Sequence, residues 1–247
     1  MAYQGDGIQY HPQGYQGTNA GQPQPNQEAG PPGFQPVPHM AALPNIPPGL
    51  EYLTQVDQIL IHQKRYSMFQ SRTEYEILNT VNQKIFHAKE EREWCGPVLD
   101  IRVYDNSQYH VLHLLQPAHY CSWTEELEVY SPTAGCLIGY IVKNWEAFSI
   151  SFSILNIAKE VVLRVVGPGF GMAGFSDVNF EVKTGNESQT IGLITRVWRG
   201  FRKEMFSSSD HYSVQFPIDL DAKVKALLLS TGIFIDHLYY EESRRNN

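Results

Sequence analysis

Phe216-Pro-Ile-Asp-Leu-Asp-Ala-Lys-Val-Lys-Ala-Leu-Leu-Leu-Ser-Thr-Gly-Ile-Phe-Ile-Asp-His-Leu-Tyr-Tyr240 is the stretch whose reading decides the fold. It is apolar around its whole circumference and reads as the one obvious helix of the chain. A membrane span needs about 20 predominantly apolar residues. Here the uncharged run extends only from Ala226 to Ile235 before Asp236 and His237 intervene. A helix that is hydrophobic all round has to be enclosed, so this one is expected inside protein rather than lipid.

The preceding residues supply the enclosure. Short alternating runs occur at Gln58–His62, Tyr75–Leu78, Lys84–Ala88, Leu99–Tyr104, Tyr109–Leu115, Leu127–Tyr130, Leu137–Val142, Ser149–Leu155, Val161–Val166, Val178–Lys183, Ile191–Trp198 and Ser213–Phe216. Turn residues such as Asp105-Asn106-Ser107 and Thr184-Gly185-Asn186-Glu187 separate them. Alternation with period two, broken by such turns, indicates antiparallel hairpins. About twelve strands at this spacing suggest a barrel, and closure around the helix would protect the strand edges. The fold expected is therefore mainly β.

The chain divides unevenly. Residues 1–48 are rich in Gln, Gly, Pro and Asn, with Asp6 and Glu28 the only charges, a composition expected to remain disordered. Residues 49–242 are expected to form one domain and 243–247 a polar tail. The N-terminal segment holds a minimal Pro-x-x-Pro, Pro44 to Pro47, and Pro31-Pro32-Gly33-Phe34, a near miss to the Pro-Pro-x-Tyr ligand type. These nominate SH3- or WW-type adaptors as partners, although a solvated spacer would look the same.

Composition narrows function. With 19 Lys and Arg against 26 Asp and Glu the net charge is −7, which disfavours nucleic acid as a partner. Three cysteines, Cys95, Cys121 and Cys136, are too few for a disulfide scaffold, and no secretory signal is evident. A reducing, cytosolic setting is expected. No Gly-x-Ser-x-Gly elbow, phosphate-binding loop or His-Glu-x-x-His signature is present. His110 and His113, three apart on a strand, fall on opposite faces, so without a bulge they cannot share a metal, and they read as ordinary surface and core histidines. Asn186-Glu187-Ser188 has the form of a glycosylation sequon but reads as hairpin chemistry.

Four blocks resemble the phospholipid scramblase family: Pro47-Pro48-Gly49-Leu50-Glu51-Tyr52-Leu53 with Asp57–Gln63; Gly139-Tyr140-Ile141-Val142 with Trp145; Gly167-Pro168 leading to Asp177–Lys183; and Gln215–Ala226. The resemblance runs in order from Pro47 to Glu241. It implies a tubby-like fold, a twelve-stranded barrel around a hydrophobic C-terminal helix. It also implies calcium-responsive, ATP-independent movement of phospholipids in both directions between bilayer leaflets, a place at the cytoplasmic face of the plasma membrane with the N-terminal tail cytosolic, and possible homo-oligomers.

The family's calcium segment maps onto Ser208, Asp210, Tyr212, Ser213, Val214, Phe216 and Asp219, and the calcium ligands implied are Ser208, Asp210, Tyr212, Val214 and Asp219. The first acid and the turn glycine of the family pattern are missing, so affinity should be weak for an ion that prefers six to eight oxygens. Asp219 could equally cap the helix. The family's palmitoylated cysteine cluster is reduced to Cys121, and one acyl chain anchors only marginally. Gly169-Phe-Gly171-Met-Ala-Gly174 has the letters of a dinucleotide loop but precedes a strand, so it reads as an inter-strand turn. The family's basic import segment keeps only Arg196 and Arg199. A lipid-translocating protein and a non-transporting lipid-binding adaptor with a partner-recruiting tail are the two functions that follow.

Overall fold

The computed structural model describes residues 45–64, 73–91, 97–118, 125–145, 149–169, 177–197 and 211–245. Twelve strands follow one another: β1 (Gln58–Lys64), β2 (Glu74–Leu78), β3 (Lys84–Glu91), β4 (Leu99–Asp105), β5 (His110–Gln116), β6 (Glu126–Ser131), β7 (Cys136–Trp145), β8 (Ser149–Leu155), β9 (Val161–Gly169), β10 (Val178–Thr184), β11 (Thr190–Val197) and β12 (His211–Gln215). Each pairs antiparallel with its neighbour in sequence, and β12 pairs with β1, Ile61 opposite Tyr212, to close the barrel. The expected mainly β architecture of twelve antiparallel strands and one C-terminal helix is what the chain adopts.

Alternation decides which face is inside. In β1 and β12 the side chains of Ile59, Ile61, Tyr212 and Val214 are buried, as are Val178, Phe180 and Val182 of β10, while Asn179 and Glu181 between them are exposed. The wall is thus apolar within and polar without, the reverse of a membrane-spanning channel, whose strands turn apolar residues outward.

The helix α1 spans Ala222–Arg245. It starts later than the quoted stretch: Phe216 is still paired to β1 by its N–H to the Asp57 carbonyl, and Pro217–Asp221 form the turn. Every residue from Lys225 to His237 except Gly232 is among the buried side chains, so no stripe of this stretch faces water. The helix meets β1 and β12 on one side and β6 and β7, halfway round the closed ring, on the other. It therefore lies along the barrel axis. Phe234 packs edge-on against Phe152 with ring centroids 6.0 Å apart. Each large aliphatic side chain so enclosed contributes about 1.5–3 kcal/mol. The hydroxyls of Ser230 and Thr231 donate to the Ala226 and Leu227 carbonyls, both at 2.8 Å, so neither is a stray polar group in the core. Gly232 lets the helix approach the wall: a Cβ there would lie 2.7 Å from Ile61 Cδ1.

Successive connections fall at opposite ends. Short turns join β2–β3, β4–β5, β6–β7, β8–β9 and β10–β11 at the rim where α1 begins. There the 3-10 helix Glu51–Gln55 closes the mouth with Leu50 and Leu53, both fully buried. Gly49 leads into it at φ +91°, where a Cβ would also run into Val111. The other six connections leave from the opposite rim, toward which α1 runs.

Candidate functional site

The entry of α1 is held by its own sequence. Asp221 is the cap: its Oδ1 accepts the Lys223 N–H at 2.8 Å and the Val224 N–H at 3.3 Å. Asp219, the cap expected as one alternative, instead sits exposed in the turn two residues earlier. One turn into the helix, Lys225 is fully buried and its Nζ donates to three backbone carbonyls, Leu53 at 2.9 Å, Val56 at 2.8 Å and Ile218 at 2.7 Å. All three ammonium protons are thereby used. Burial lowers the Lys225 pKa, against which Asp57 and Asp219 act to raise it. This lysine fastens the helix to the plug.

The other end of the interior is polar. Asp236 is buried and accepts the Tyr75 hydroxyl at 2.8 Å. Burial, then the charge and hydrogen bond of Asp236, push the Tyr75 phenol well above its ordinary pKa, so it stays a donor. Gln63, Glu90, Gln116, Tyr212 and His237 are buried at the same end. The charge that interrupts the apolar run is therefore accommodated by protein. Sequence reading found Asp236 as an obstacle to membrane insertion; its partner, 161 residues earlier in the chain, had no local signal.

The expected calcium residues divide. Tyr212 and Val214 lie on β12, paired on one side with β1 and on the other with β11, and both side chains point into the core. Val214 has no side-chain oxygen, and the carboxylate of Asp219 is exposed. Ser208 and Asp210 lie outside the described residues. The portion from Tyr212 to Asp219 does not by itself form the cage of six to eight oxygens that calcium prefers, and among the described residues no three His, Cys, Asp or Glu side chains converge for a metal. Cys121, Arg199 and residues 170–174 of the glycine-rich turn also lie outside the described residues. Arg196 is on β11 opposite Tyr212 and Val178. Asn186 behaves as hairpin chemistry: its Oδ1 accepts from the Thr184 and Ser188 hydroxyls at 2.7 and 2.8 Å.

One expectation is corrected. Between the pairs Val103–Leu112 and Tyr104–His110 the β4–β5 register shifts, leaving Val111 as an extra residue. Val111 and Leu112 are both fully buried, and His110 and His113 consequently share the outer face. The bulge that sequence alone could only name as a condition is present.

An inward-apolar, closed barrel threaded by its own C-terminal helix defines a class of domain that a match to known sequences then identifies. The family described as Scramblase matches residues 37–242. The chain is 37% identical to phospholipid scramblase 2 of Bos taurus over 228 residues, 84% of this chain and 78% of that protein. It is 36% identical to phospholipid scramblase family member 5 of Homo sapiens, covering 81% of this chain and 79% of that one. Identity to phospholipid scramblase 1 of Homo sapiens is 35%, over 81% of this chain and 68% of the relative. The chain belongs to the scramblase family. No solved structure gives a significant match.

Proposed function

We propose that this chain acts on phospholipid bilayers as a scramblase, moving phospholipids between leaflets in both directions without ATP and without covalent chemistry. The observation that carries the reading is the family match, which spans the whole barrel and most of α1. Among the described residues no helix is long and apolar enough to cross a membrane. With the interior filled by α1, a headgroup has no path through the barrel. The proposed mechanism therefore works from the membrane surface, at the cytoplasmic face of the plasma membrane, through local bilayer deformation by one or several copies or through extrusion of α1. Acylation of Cys121 would add a single, marginal anchor. Calcium dependence is proposed only in weak form, at millimolar concentrations, with Ser208, Asp210 and Asp219 as the oxygen-bearing candidates.

The decisive measurement uses the purified full chain in liposomes containing a fluorescent phospholipid and a membrane-impermeant quencher. The expected result is loss of the quencher-protected inner-leaflet fraction, with headgroup-independent rates. No transfer above empty vesicles at millimolar calcium refutes the proposal. A second reading, a lipid-binding adaptor whose proline-rich tail recruits SH3- or WW-type partners, is favoured by the sealed interior. It predicts reversible vesicle binding with no exchange between leaflets.

A further inference from the structure

On the outer wall, rings from four consecutive strands form a ladder: His87 and Tyr104 at 5.3 Å between centroids, Tyr104 and His110 at 5.2 Å, His110 and His113 at 5.5 Å, and His113 and Tyr130 at 6.3 Å. Most of it is cross-strand packing of the ordinary kind. The His110–His113 step differs, because the bulge at Val111 is what brings two imidazoles of one strand onto one face.

One of these rings is anchored by a carboxylate, and the other keeps a buried nitrogen with no partner. His113 Nε2 lies 3.0 Å from Asp100 Oδ1 on β4. His110 Nε2 is buried without a hydrogen-bond partner. An imidazole whose far N–H is held by a carboxylate or a carbonyl presents its other nitrogen as a lone pair in a fixed direction, the arrangement found around bound metals. Two imidazoles sharing one ion, with metal–nitrogen bonds of about 2.0–2.1 Å, have ring centroids roughly 5 Å apart, close to the separation seen here.

We propose that His110 and His113, the latter oriented by Asp100, form a two-imidazole site for a borderline divalent transition metal, of the copper or zinc class. Imidazole suits these ions, and their affinity order places copper first. The remaining coordination positions are filled by water or by a donor from outside the barrel. Arg102 has its Nε 3.8 Å from Asp100 Oδ1, so the carboxylate offsets part of its charge. The site is separate from the calcium segment, and it does not depend on lipid movement.

The test is titration of the full-length chain, thiols alkylated, with Cu2+ alone at neutral pH, followed by calorimetry and electron paramagnetic resonance. One tight equivalent with two-nitrogen ligation is expected. His110→Gln and His113→Gln should each weaken that equivalent at least tenfold and remove one nitrogen from the spectrum, and Asp100→Asn should weaken it about 10- to 100-fold. His87→Gln and His62→Gln, elsewhere on the wall, should leave it unchanged. Circular dichroism verifies that the variants fold. Unchanged affinity and spectrum in His110→Gln or His113→Gln overturns the proposal, as does equal loss in His62→Gln.

Discussion

Lys225→Met removes the ammonium that joins α1 to the N-terminal plug while keeping an unbranched, helix-compatible side chain of similar length. Three hydrogen bonds from a charged donor, to Leu53, Val56 and Ile218, are lost. At about 1.5–3 kcal/mol each their gross contribution is roughly 4.5–9 kcal/mol. Against this stands the desolvation of a fully buried ammonium, several kcal/mol, which the substitution relieves. The carbonyls remain, however, and an orphaned buried acceptor costs about 1–3 kcal/mol. The balance is a net destabilisation of about 3 kcal/mol, or roughly 6–12 °C in Tm for a domain of this size. Chemical and thermal unfolding of the full chain, followed by circular dichroism, measures it. Lys223→Met, two residues earlier and half-exposed, provides the control at about ±0.5 kcal/mol or less. If both variants unfold at the same midpoint as the parent, the buried lysine does not secure the helix and the account of the plug fails.

Gly232→Ala should also destabilise: the added methyl meets Ile61 Cδ1 at 2.7 Å and Val214 Cγ2 at 3.3 Å, an overpacking cost of about 1–3 kcal/mol set against roughly 1 kcal/mol of helix propensity. A midpoint above the parent's would mean that the wall yields freely at that point. Asp221→Ala should cost about 1 kcal/mol through the lost cap, whereas Asp219→Ala, which removes only an exposed charge acting on Lys225, should cost less; the reverse ranking would move the cap to Asp219. Acid sensitivity follows from His87 and His110, both held below the usual histidine pKa of 6.5 by burial. Lys84 and Lys89 add to the effect on His87 against Glu74 and Asp105, and His113 and Arg102 add to that on His110 against Asp100 and the Leu112 carbonyl. A depressed folded-state pKa means that the unfolded chain takes up protons first. The stability contribution is thus complete above pH 6.5 and is lost as pH falls through the lower folded-state values. His87→Gln/His110→Gln should flatten that part of the stability–pH curve, and an unchanged slope would contradict the assignment.

The strands were legible because burial on one face imposes period two on their residues, and each proposed run overlaps an observed strand, Lys84–Ala88 within β3 and Val178–Lys183 within β10 among them. The helix was legible for the complementary reason, that Ala226–Ile235 has no polar side to offer water. What escaped notice was set by contacts distant in sequence. The Glu51–Gln55 turn has no periodicity of its own and forms beneath Lys225, about 170 residues later. The bulge at Val111 is invisible in a run of apolar residues, since Val111-Leu112 reads equally well with one side chain outward. Asp219 and Asp221 carry the same cap signal, and only the phase of the first helical turn separates them.

The sorting of connections between the two rims has a consequence for how such a chain can diversify. The rim that seats the start of α1 is made of tight hairpins whose residues are committed to backbone geometry, so changes there would disturb the fastening of the helix. At the opposite rim, the flanking strands are already locked by their ladders, and lengthening a connection costs little chain entropy. In sequence, Cys121 falls between β5 and β6, and Arg199, Ser208 and Asp210 fall between β11 and β12. Residues can therefore be inserted, lost or exchanged in those connections one at a time while the inner scaffold stays the same.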